Sequence, residues 1–199
     1  MIEQHPIAET GTIPAFEQII FGMVTVFGRG NKVFFNFKNP GSKFKFRGKT
    51  EVALLTFVKR LETMRISPMR GPADQAENSL TPLDLNVDIP SAIVLAVPNN
   101  SNMQFSASPA GVTRKDDATD SAYSDLRYVR VRDGQQPVLE TTPFDGCQAV
   151  VFFAKKPSKD YGHGFNMHID IVQETPGGRR QLLPLLIDPV VRNPGGGGS

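Results

Sequence analysis

Short runs of alternating apolar and polar residues are the feature that most constrains the fold of this chain. In GFNMHIDIV, Phe165, Met167, Ile169 and Ile171 alternate with polar residues, and Leu83 to Ile89 repeats the alternation. A period of two is typical of a β-strand with one buried face. Sixteen prolines and eighteen glycines separate such runs among the 199 residues. The sequence therefore predicts many short strands joined by turns.

One segment departs from this alternation. From Thr50 to Ile66, apolar residues recur at three-residue steps, which predicts a helix with Thr50 as its cap. A strand followed by a loop is the alternative, because Val, Thr and Phe are well represented in the segment. A strand is expected over Phe16 to Gly30, with a break at Gly22 as one possibility. The basic stretch described below adds a hairpin, and the other expected strands are 83–89, 92–97, 103–105, 126–132, 138–139, 148–155, 164–172 and 181–189.

Two further segments carry distinct local signals. Gly111 to Asp125 is polar and acidic and is expected to be a mobile loop. Pro184 interrupts the last apolar run, and since proline has no amide donor for a sheet ladder, that strand is expected at an edge or a bulge.

These elements predict a mainly β fold, an antiparallel β-sandwich or flattened barrel of about nine strands with one helix. We expect a single β-rich domain over 16–192, preceded by a flexible tail over 1–15. Residues 193–199 are expected to be a second flexible tail, in which GGGGS resembles an added linker.

Cysteine content and the amino terminus indicate the compartment. Cys147 is the single cysteine, so no disulfide can form within the chain. The first residues show no signal peptide, and the apolar run Ile19 to Phe27 is shorter than the roughly 20 residues of a membrane span. We expect a cytoplasmic protein with no membrane partner.

The stretch NKVFFNFKNPGSKFKFRGK, residues 31–49, concentrates positive charge. From Arg29 to Lys49 there are seven basic residues and no acidic one, which leaves 15 basic and 20 acidic residues elsewhere. We expect a hairpin with its turn at Pro40 and Gly41. Alternation then turns most phenylalanines toward the core and leaves a basic face. The candidate binding residues are Arg29, Lys32, Phe34, Lys38, Lys43, Lys45, Arg47 and Lys49.

Three interpretations of this basic face stay open. It can be a solvated face that deters edge-to-edge aggregation. It can contact protein, either a second copy of the chain or another partner. It can also bind nucleic acid or another polyanion, although Phe34 is its one aromatic residue and single-strand-binding sheets usually offer two or more.

His163, His168 and Asp170 form a candidate metal site. His168 and Asp170 are two residues apart on one expected strand, which places them on the same face. His163 lies just upstream. No HExxH or repeated CxxC motif accompanies this set, and the competing interpretation is a solvent-facing polar stripe.

Other catalytic and cofactor motifs are absent from the sequence. There is no GxSxG nucleophile motif. Arg47 to Thr50 ends like a phosphate-binding loop, but Lys43 stands where that loop needs a glycine. Cys147 precedes an apolar strand and is expected to be a buried hydrophobic residue. We therefore expect no cofactor.

The carboxyl-terminal part resembles a group of known proteins. Its motifs are FNMHIDIVQ and LPLLIDPVVRNPGG, within Phe165 to Gly196. They resemble the ends of small, uncharacterised bacterial β proteins with an IDP…NPG motif, some of which are labelled nucleotide synthetase. The resemblance implies a small bacterial or phage-associated β protein and transfers no catalytic residue.

Together these observations favour a non-enzymatic β-sandwich that acts by self-assembly, as a homo-oligomer, or by binding a protein partner. The first alternative is nucleic-acid or polyanion binding through the basic segment 29–49. The second alternative is a metal-dependent enzyme centred on His163, His168 and Asp170.

Overall fold

The computed structural model describes residues 4–29, 32–38, 50–61, 85–87, 89–98, 101–115, 122–132, 134–155, 163–187 and 190–192. Within these ranges lie one helix, α1 (Glu51–Leu61), and twelve strands. The strands are β1 (Gln18–Arg29), β2 (Lys32–Lys38), β3 (Leu85–Asn86), β4 (Ser91–Ala96), β5 (Met103–Phe105), β6 (Val112–Arg114), β7 (Tyr123–Arg130), β8 (Val138–Glu140), β9 (Ala149–Ala154), β10 (His163–Glu174), β11 (Arg180–Ile187) and β12 (Val190–Arg192).

The first sheet has the strand order β2-β1-β4-β9-β7-β8. Its neighbours are antiparallel except β1 and β4, which run parallel with Gln18 opposite Ser91. The Gln18 Nε2 donates a buried hydrogen bond to Ser91 Oγ at 2.8 Å. Every residue of β4 is buried, as expected for a central strand covered on both faces.

The second sheet is built around β10. β11 pairs with β10 along one edge, and β5 and β6 pair with it as well. β12 continues the register of β11, since Met167 lies opposite Ile187 and Gly164 opposite Val190. β3 then pairs with β12 in parallel.

The main hydrophobic core lies between the two sheets. Phe152 of the first sheet and Phe165 of the second are both buried, with ring centroids 5.2 Å apart at an angle of 60°. Tyr123 adds a ring contact to each of them. The two sheets therefore form a sandwich held together by aromatic and aliphatic side chains.

The helix covers the other face of the first sheet. Leu54, Phe57 and Val58 are at most 1% exposed and pack in a second hydrophobic cluster against the sheet. The Thr50 Oγ1 accepts a hydrogen bond from the Ala53 amide at 3.3 Å, which caps the helix as predicted. The helix is confirmed over Glu51–Leu61, and residues 62–66 lie outside the described ranges.

The predicted fold class is confirmed as mainly β, with most pairs antiparallel. In the part of the chain that the structure describes, neither sheet closes into a barrel. The described residues form twelve strands, more than the nine or so predicted; β6 and β12 were not expected, and the expected strand over 43–49 lies outside the described ranges. Among these residues no helix has the length and hydropathy that crossing a membrane requires.

Gly22 does not interrupt β1, which runs unbroken through it. Gly22 lies opposite Leu95, and a Cβ on the glycine would come within 3.1 Å of Leu95 Cδ2. The glycine therefore makes room for a core side chain of β4.

The prediction of a mobile acidic loop over Gly111 to Asp125 is wrong at both ends of that segment. β6 begins at Val112, where it pairs with β10, and Asp125 is fully buried in β7. Long-range pairing orders these residues, and local polarity gave no sign of it. The intervening residues 116–121 lie outside the described ranges.

Pro184 is confirmed at an edge. In β11, Pro184 lies opposite Asp170 of β10. Among the described residues β11 has no second partner strand. Leu182 and Leu186 of the same strand are 44% and 36% exposed.

Residues near the amino terminus link the two sheets. The amides of His5 and Arg114 each donate to the other residue's carbonyl at 2.9 Å, and Ile7 is buried in the main core. The Asp125 amide donates to Ala8 O at 2.8 Å. These contacts fall within the predicted tail 1–15. The division into two tails and one domain over 16–192 stays a prediction.

Candidate functional site

The outer face of the second sheet carries a line of buried polar side chains. Its members, which we call the polar row, are Gln104, Thr113, Asn166, His168 and Asp170, each at most 6% exposed. The neighbouring residues of β10 point into the main core, so strand alternation places the row on the side away from the first sheet. Buried polar groups require hydrogen-bond partners. Because the row also contains ionisable side chains, we treat it as a candidate functional site.

His168 occupies a distinct position in β10. Its amide donates to Gly111 O at 2.9 Å, and its carbonyl accepts from the Ser106 amide at 2.9 Å. The loop 107–110, exposed over 107–109, therefore leaves the sheet and returns to it at the two hydrogen bonds of His168. This arrangement fixes the backbone of His168 from one side while β11 pairs with it from the other.

The side chain of His168 makes a short polar contact. Its Nε2 lies 2.8 Å from Thr113 Oγ1 in a buried environment. Burial lowers the pKa of His168, and the nearby charge of Asp170 opposes this shift in part. The imidazole is therefore neutral near pH 7 and can accept a proton.

A second cluster lies at one end of the polar row. The Gln104 Nε2 donates to Asp145 Oδ1 at 3.0 Å, while Gln104 Oε1 accepts from the Gly146 amide at 3.0 Å and from Arg180 Nη2 at 2.6 Å. Arg180 Nη1 also pairs with Asp145 Oδ2. Hydrogen bonds from Gln104 and Arg180 lower the pKa of Asp145. Gln104 thus hydrogen-bonds both the Arg180 guanidinium and the Asp145 carboxylate beside the polar row.

The interpretation of His168 and Asp170 as a solvent-facing stripe is wrong, because both are at least 94% buried. The exposed fractions are 6% and 5%. Alternation predicted their shared face correctly, but the sequence could not show that this face is covered.

His163 does not join His168 and Asp170. Five residues of extended strand separate the Cα atoms of His163 and His168 by about 17 Å. Among the residues that the structure describes, no three His, Cys, Asp or Glu side chains converge on a possible metal position.

The candidate residues of the basic face fall into two groups. Arg29 ends β1 and lies opposite Lys32, the first residue of β2, while Phe34 lies opposite Phe27. Lys38 ends β2. The predicted partner strand of β2, with Lys43, Lys45, Arg47 and Lys49, lies outside the described residues.

Cys147 is confirmed as a buried residue. Its thiol donates to Ala149 O at 3.1 Å. Burial raises the pKa of Cys147 to about 11. The group is therefore a thiol near neutral pH and a poor nucleophile.

A small pocket opens at one end of the first sheet, beside the helix. Its volume is about 160 Å³, which is below the roughly 300 Å³ at which small-molecule pockets begin. The lining residues are Met23, Val58, Ala96, Val97, Val129, Val131, Phe144, Gly146, Gln148 and Ala149. The polar row is the stronger candidate because it combines ionisable groups with buried hydrogen bonds.

Sequence reasoning missed Thr113, Gln104 and Arg180. Gln104 lies between two apolar residues in MQF, an alternation that predicts an outward-facing polar side chain on a strand. Thr113 lies between Val112 and the charged Arg114, so no such alternation marks it. Their contact with β10 depends on long-range pairing that one sequence does not reveal.

Comparison with known proteins gives one match. A family model described as a predicted novel nucleotide synthetase matches residues 57–196, more than two thirds of the chain. This match extends the resemblance seen over Phe165 to Gly196. No curated protein and no solved structure matches.

Proposed function

The chain belongs to the predicted novel nucleotide synthetase family, and we propose on this basis that it is an enzyme that acts on nucleotides through the polar row. The family description favours an enzyme over the non-enzymatic assembly that composition favoured. The matched residues 57–196 include the whole polar row and exclude the basic segment 29–49.

The buried contact between His168 and Thr113 is the observation that carries this proposal. A neutral imidazole 2.8 Å from a hydroxyl is a suitable proton acceptor for group transfer. We assign His168 the role of general base, which takes a proton from the attacking hydroxyl or amine of a substrate. Thr113 orients the ring.

Asp170 has a supporting role in this proposal. Its charge raises the pKa of His168, so it stabilises the imidazolium that forms after proton transfer. Burial acts in the opposite direction and is the larger effect. The base is therefore neutral before the reaction and is stabilised once it is charged.

The test uses the full chain with ATP, GTP, CTP and UTP. Isothermal titration calorimetry measures binding, and ³¹P NMR follows conversion of the bound nucleotide. His168→Gln is expected to lower turnover by about 100-fold or more while the nucleotide Kd changes little. His5→Gln is the matched control, since it makes the same replacement outside the matched segment, and it is expected to retain turnover.

The pH dependence gives an independent readout. Because the pKa of His168 is lowered, turnover is expected to persist below the usual histidine value near 6.5 and to fall only as the imidazole becomes protonated. His168→Gln removes that acidic limb. Absence of nucleotide binding by the unaltered protein, or full turnover by His168→Gln, would contradict the proposal.

We also propose a separate contact function for the basic segment 29–49, either with a polyanion or with an acidic protein surface, including a second copy of the chain. The supporting observation is the register of β1 and β2, in which Arg29 lies opposite Lys32. Like charges at opposed positions are unfavourable by up to roughly 1 kcal/mol, and an anionic partner removes that cost.

A further inference from the structure

Arg180 is held at the end of the polar row by an ordered hairpin. The Thr175 amide donates to Arg179 O at 2.9 Å, the Gly178 amide donates to Thr175 O at 2.9 Å, and Gly178 has a φ of +71°. This turn sets the start of β11, where Arg180 lies opposite Glu174. The backbone of Arg180 is therefore fixed relative to β10.

The side chain of Arg180 reaches across β10. Arg180 belongs to β11 and Gln104 to β5, and each of these two strands pairs with β10. The Arg180 Nη2 nevertheless contacts Gln104. Gln104 lies opposite Asp170. Since alternate Cα atoms of a strand are about 7 Å apart, His168 lies one such step beyond Asp170.

The guanidinium of Arg180 remains available to a ligand. The side chains of Arg180 and Asp145 are 41% and 63% exposed, so their ion pair is a surface pair of small net strength. Among the described residues, Arg180 Nε has no hydrogen-bond partner, whereas Nη1 and Nη2 each have one. Gln104 is only 2% exposed and positions the group.

We propose that Arg180 binds a phosphate group of the nucleotide and that Gln104 is the residue that positions it. This proposal rests on the proposed function of the polar row. A guanidinium matches the geometry of a phosphate, to which it can donate two parallel hydrogen bonds. In the free protein Asp145 takes this position, and the incoming phosphate displaces it.

The substrate class follows from this placement. The phosphate binds to Arg180, whose side chain is 41% exposed beside Gln104, and the reacting part of the substrate lies toward His168. A ligand that contacts both must be longer than a single phosphate group. The site is therefore expected to select nucleoside phosphates over free nucleosides and over inorganic phosphate.

The first experiment measures Kd by calorimetry for ATP and adenosine, and for the other three nucleotide and nucleoside pairs. Arg180→Ala is expected to weaken nucleotide binding by about 10-fold or more and to leave nucleoside binding within about 2-fold. Arg180→Lys is expected to be intermediate, since it keeps the charge and loses the paired donors. Arg179→Ala removes the same charge one residue away and is expected to bind nucleotides normally.

A second variant acts in the opposite direction. Asp145→Asn removes the carboxylate that competes with the phosphate, and its exposed position makes it compatible with folding. It is expected to tighten nucleotide binding by about 3-fold or more.

The outcomes separate the two proposals. Failure of the unaltered protein to bind any of the four nucleotides would overturn the proposed function and this inference together. Nucleotide binding that is equally strong in Arg180→Ala, or weaker in Asp145→Asn, would overturn the role of Arg180 and leave the nucleotide-directed function standing. Weaker binding in Arg180→Ala with tighter binding in Asp145→Asn supports both.

Discussion

Asp125 shows how one residue can combine strain, burial and charge. It is fully buried and has a φ of +56°, a region that non-glycine residues rarely adopt. The pairing of β7 with β9 shifts register between Ser124 and Arg127, so Asp125 lies in a β-bulge. The bulge directs its carboxylate toward the amino-terminal segment.

The partners of Asp125 compensate for its burial. The Thr10 amide donates to Oδ1 at 2.8 Å, the Thr10 hydroxyl donates to Oδ2 at 2.8 Å, and Arg127 Nη2 lies 3.2 Å from Oδ1. Burial by itself raises the pKa of Asp125, but these groups and the Ser124 hydroxyl lower it overall. The carboxylate is therefore charged in the fold and ties residues 8–10 to β7.

Asp125→Ala is expected to lower the free energy of unfolding by about 3 kcal/mol, because it removes the carboxylate nearest to the buried Arg127 guanidinium. Thr10→Val should cost about 1 kcal/mol, since only the hydroxyl bond is lost. Urea denaturation of both variants and of the double variant measures these losses of unfolding free energy. The loss in the double variant should be smaller than the sum of the two single losses.

The contribution of Asp125 to the free energy of unfolding depends on pH with a defined sign. A lowered carboxylate pKa stabilises the fold above the usual value near 3.9, and that stabilisation is lost as pH falls below it. The difference between the unaltered protein and Asp125→Ala should therefore shrink in acid. A loss below about 0.5 kcal/mol at neutral pH would show that the Asp125 contacts do not stabilise the fold.

At the scale of elements, α1 is stabilised by packing and very little by its exposed face. Leu54 is fully buried against the first sheet, whereas Val52, two residues earlier, is 72% exposed. The ring of Phe57 packs edge-on against Phe21 of β1 at 5.6 Å. Most of the stability of such a helix comes from its buried side.

Leu54→Ala is expected to lower the free energy of unfolding by about 3 kcal/mol through lost burial and the cavity left behind. Val52→Ala in the same helix is the matched control. It should leave stability unchanged or raise it by up to about 0.5 kcal/mol, since alanine is the better helix former. Equal losses in the two variants, measured by chemical denaturation, would show that α1 does not depend on this packing.

At the scale of the whole molecule, charge is unevenly distributed. Residues 29–49 carry seven basic and no acidic residues, and the rest of the chain has a net charge of −5, from 15 basic and 20 acidic residues. Such a chain can meet an anionic partner or a second copy of itself through opposite charges.

Size-exclusion chromatography with light scattering at about 50 mM and 500 mM salt, with and without poly(dT), tests this contact function. Polyanion binding is expected to weaken steeply with salt, because phosphate contacts release counterions. Lys32→Ala with Lys38→Ala should reduce it, and Lys59→Ala with Arg179→Ala, which removes equal charge elsewhere, should not.

The chromatography tests the polyanion and the self-assembly versions of this contact function separately. No poly(dT) binding at low salt would remove the polyanion version. A monomer at all concentrations and both salt conditions would remove the self-assembly version.

Much of the fold was predictable because strands and the helix follow local periodicity. β4, β5, β8, β9 and β10 lie where alternation or short apolar runs placed them, and α1 follows its three-residue apolar steps from the cap at Thr50. The candidate site was predicted only in part. His168 and Asp170 share a face, as the strand period requires, but Thr113, Gln104 and Arg180 come from three other strands.

Most of the strands, the helix, and the side chains that share a face follow from the sequence, since these depend on neighbours a few positions away; β6 and β12 depend on their pairing with β10. Tertiary structure alone decided which faces are buried. It covered the polar row, buried Asp125 against Thr10, and brought Arg180 to Gln104, 76 residues apart in the chain. Burial depends on which distant strands pair, and that pairing sets the pKa of His168 and the contacts of Arg180 on which the proposed chemistry rests.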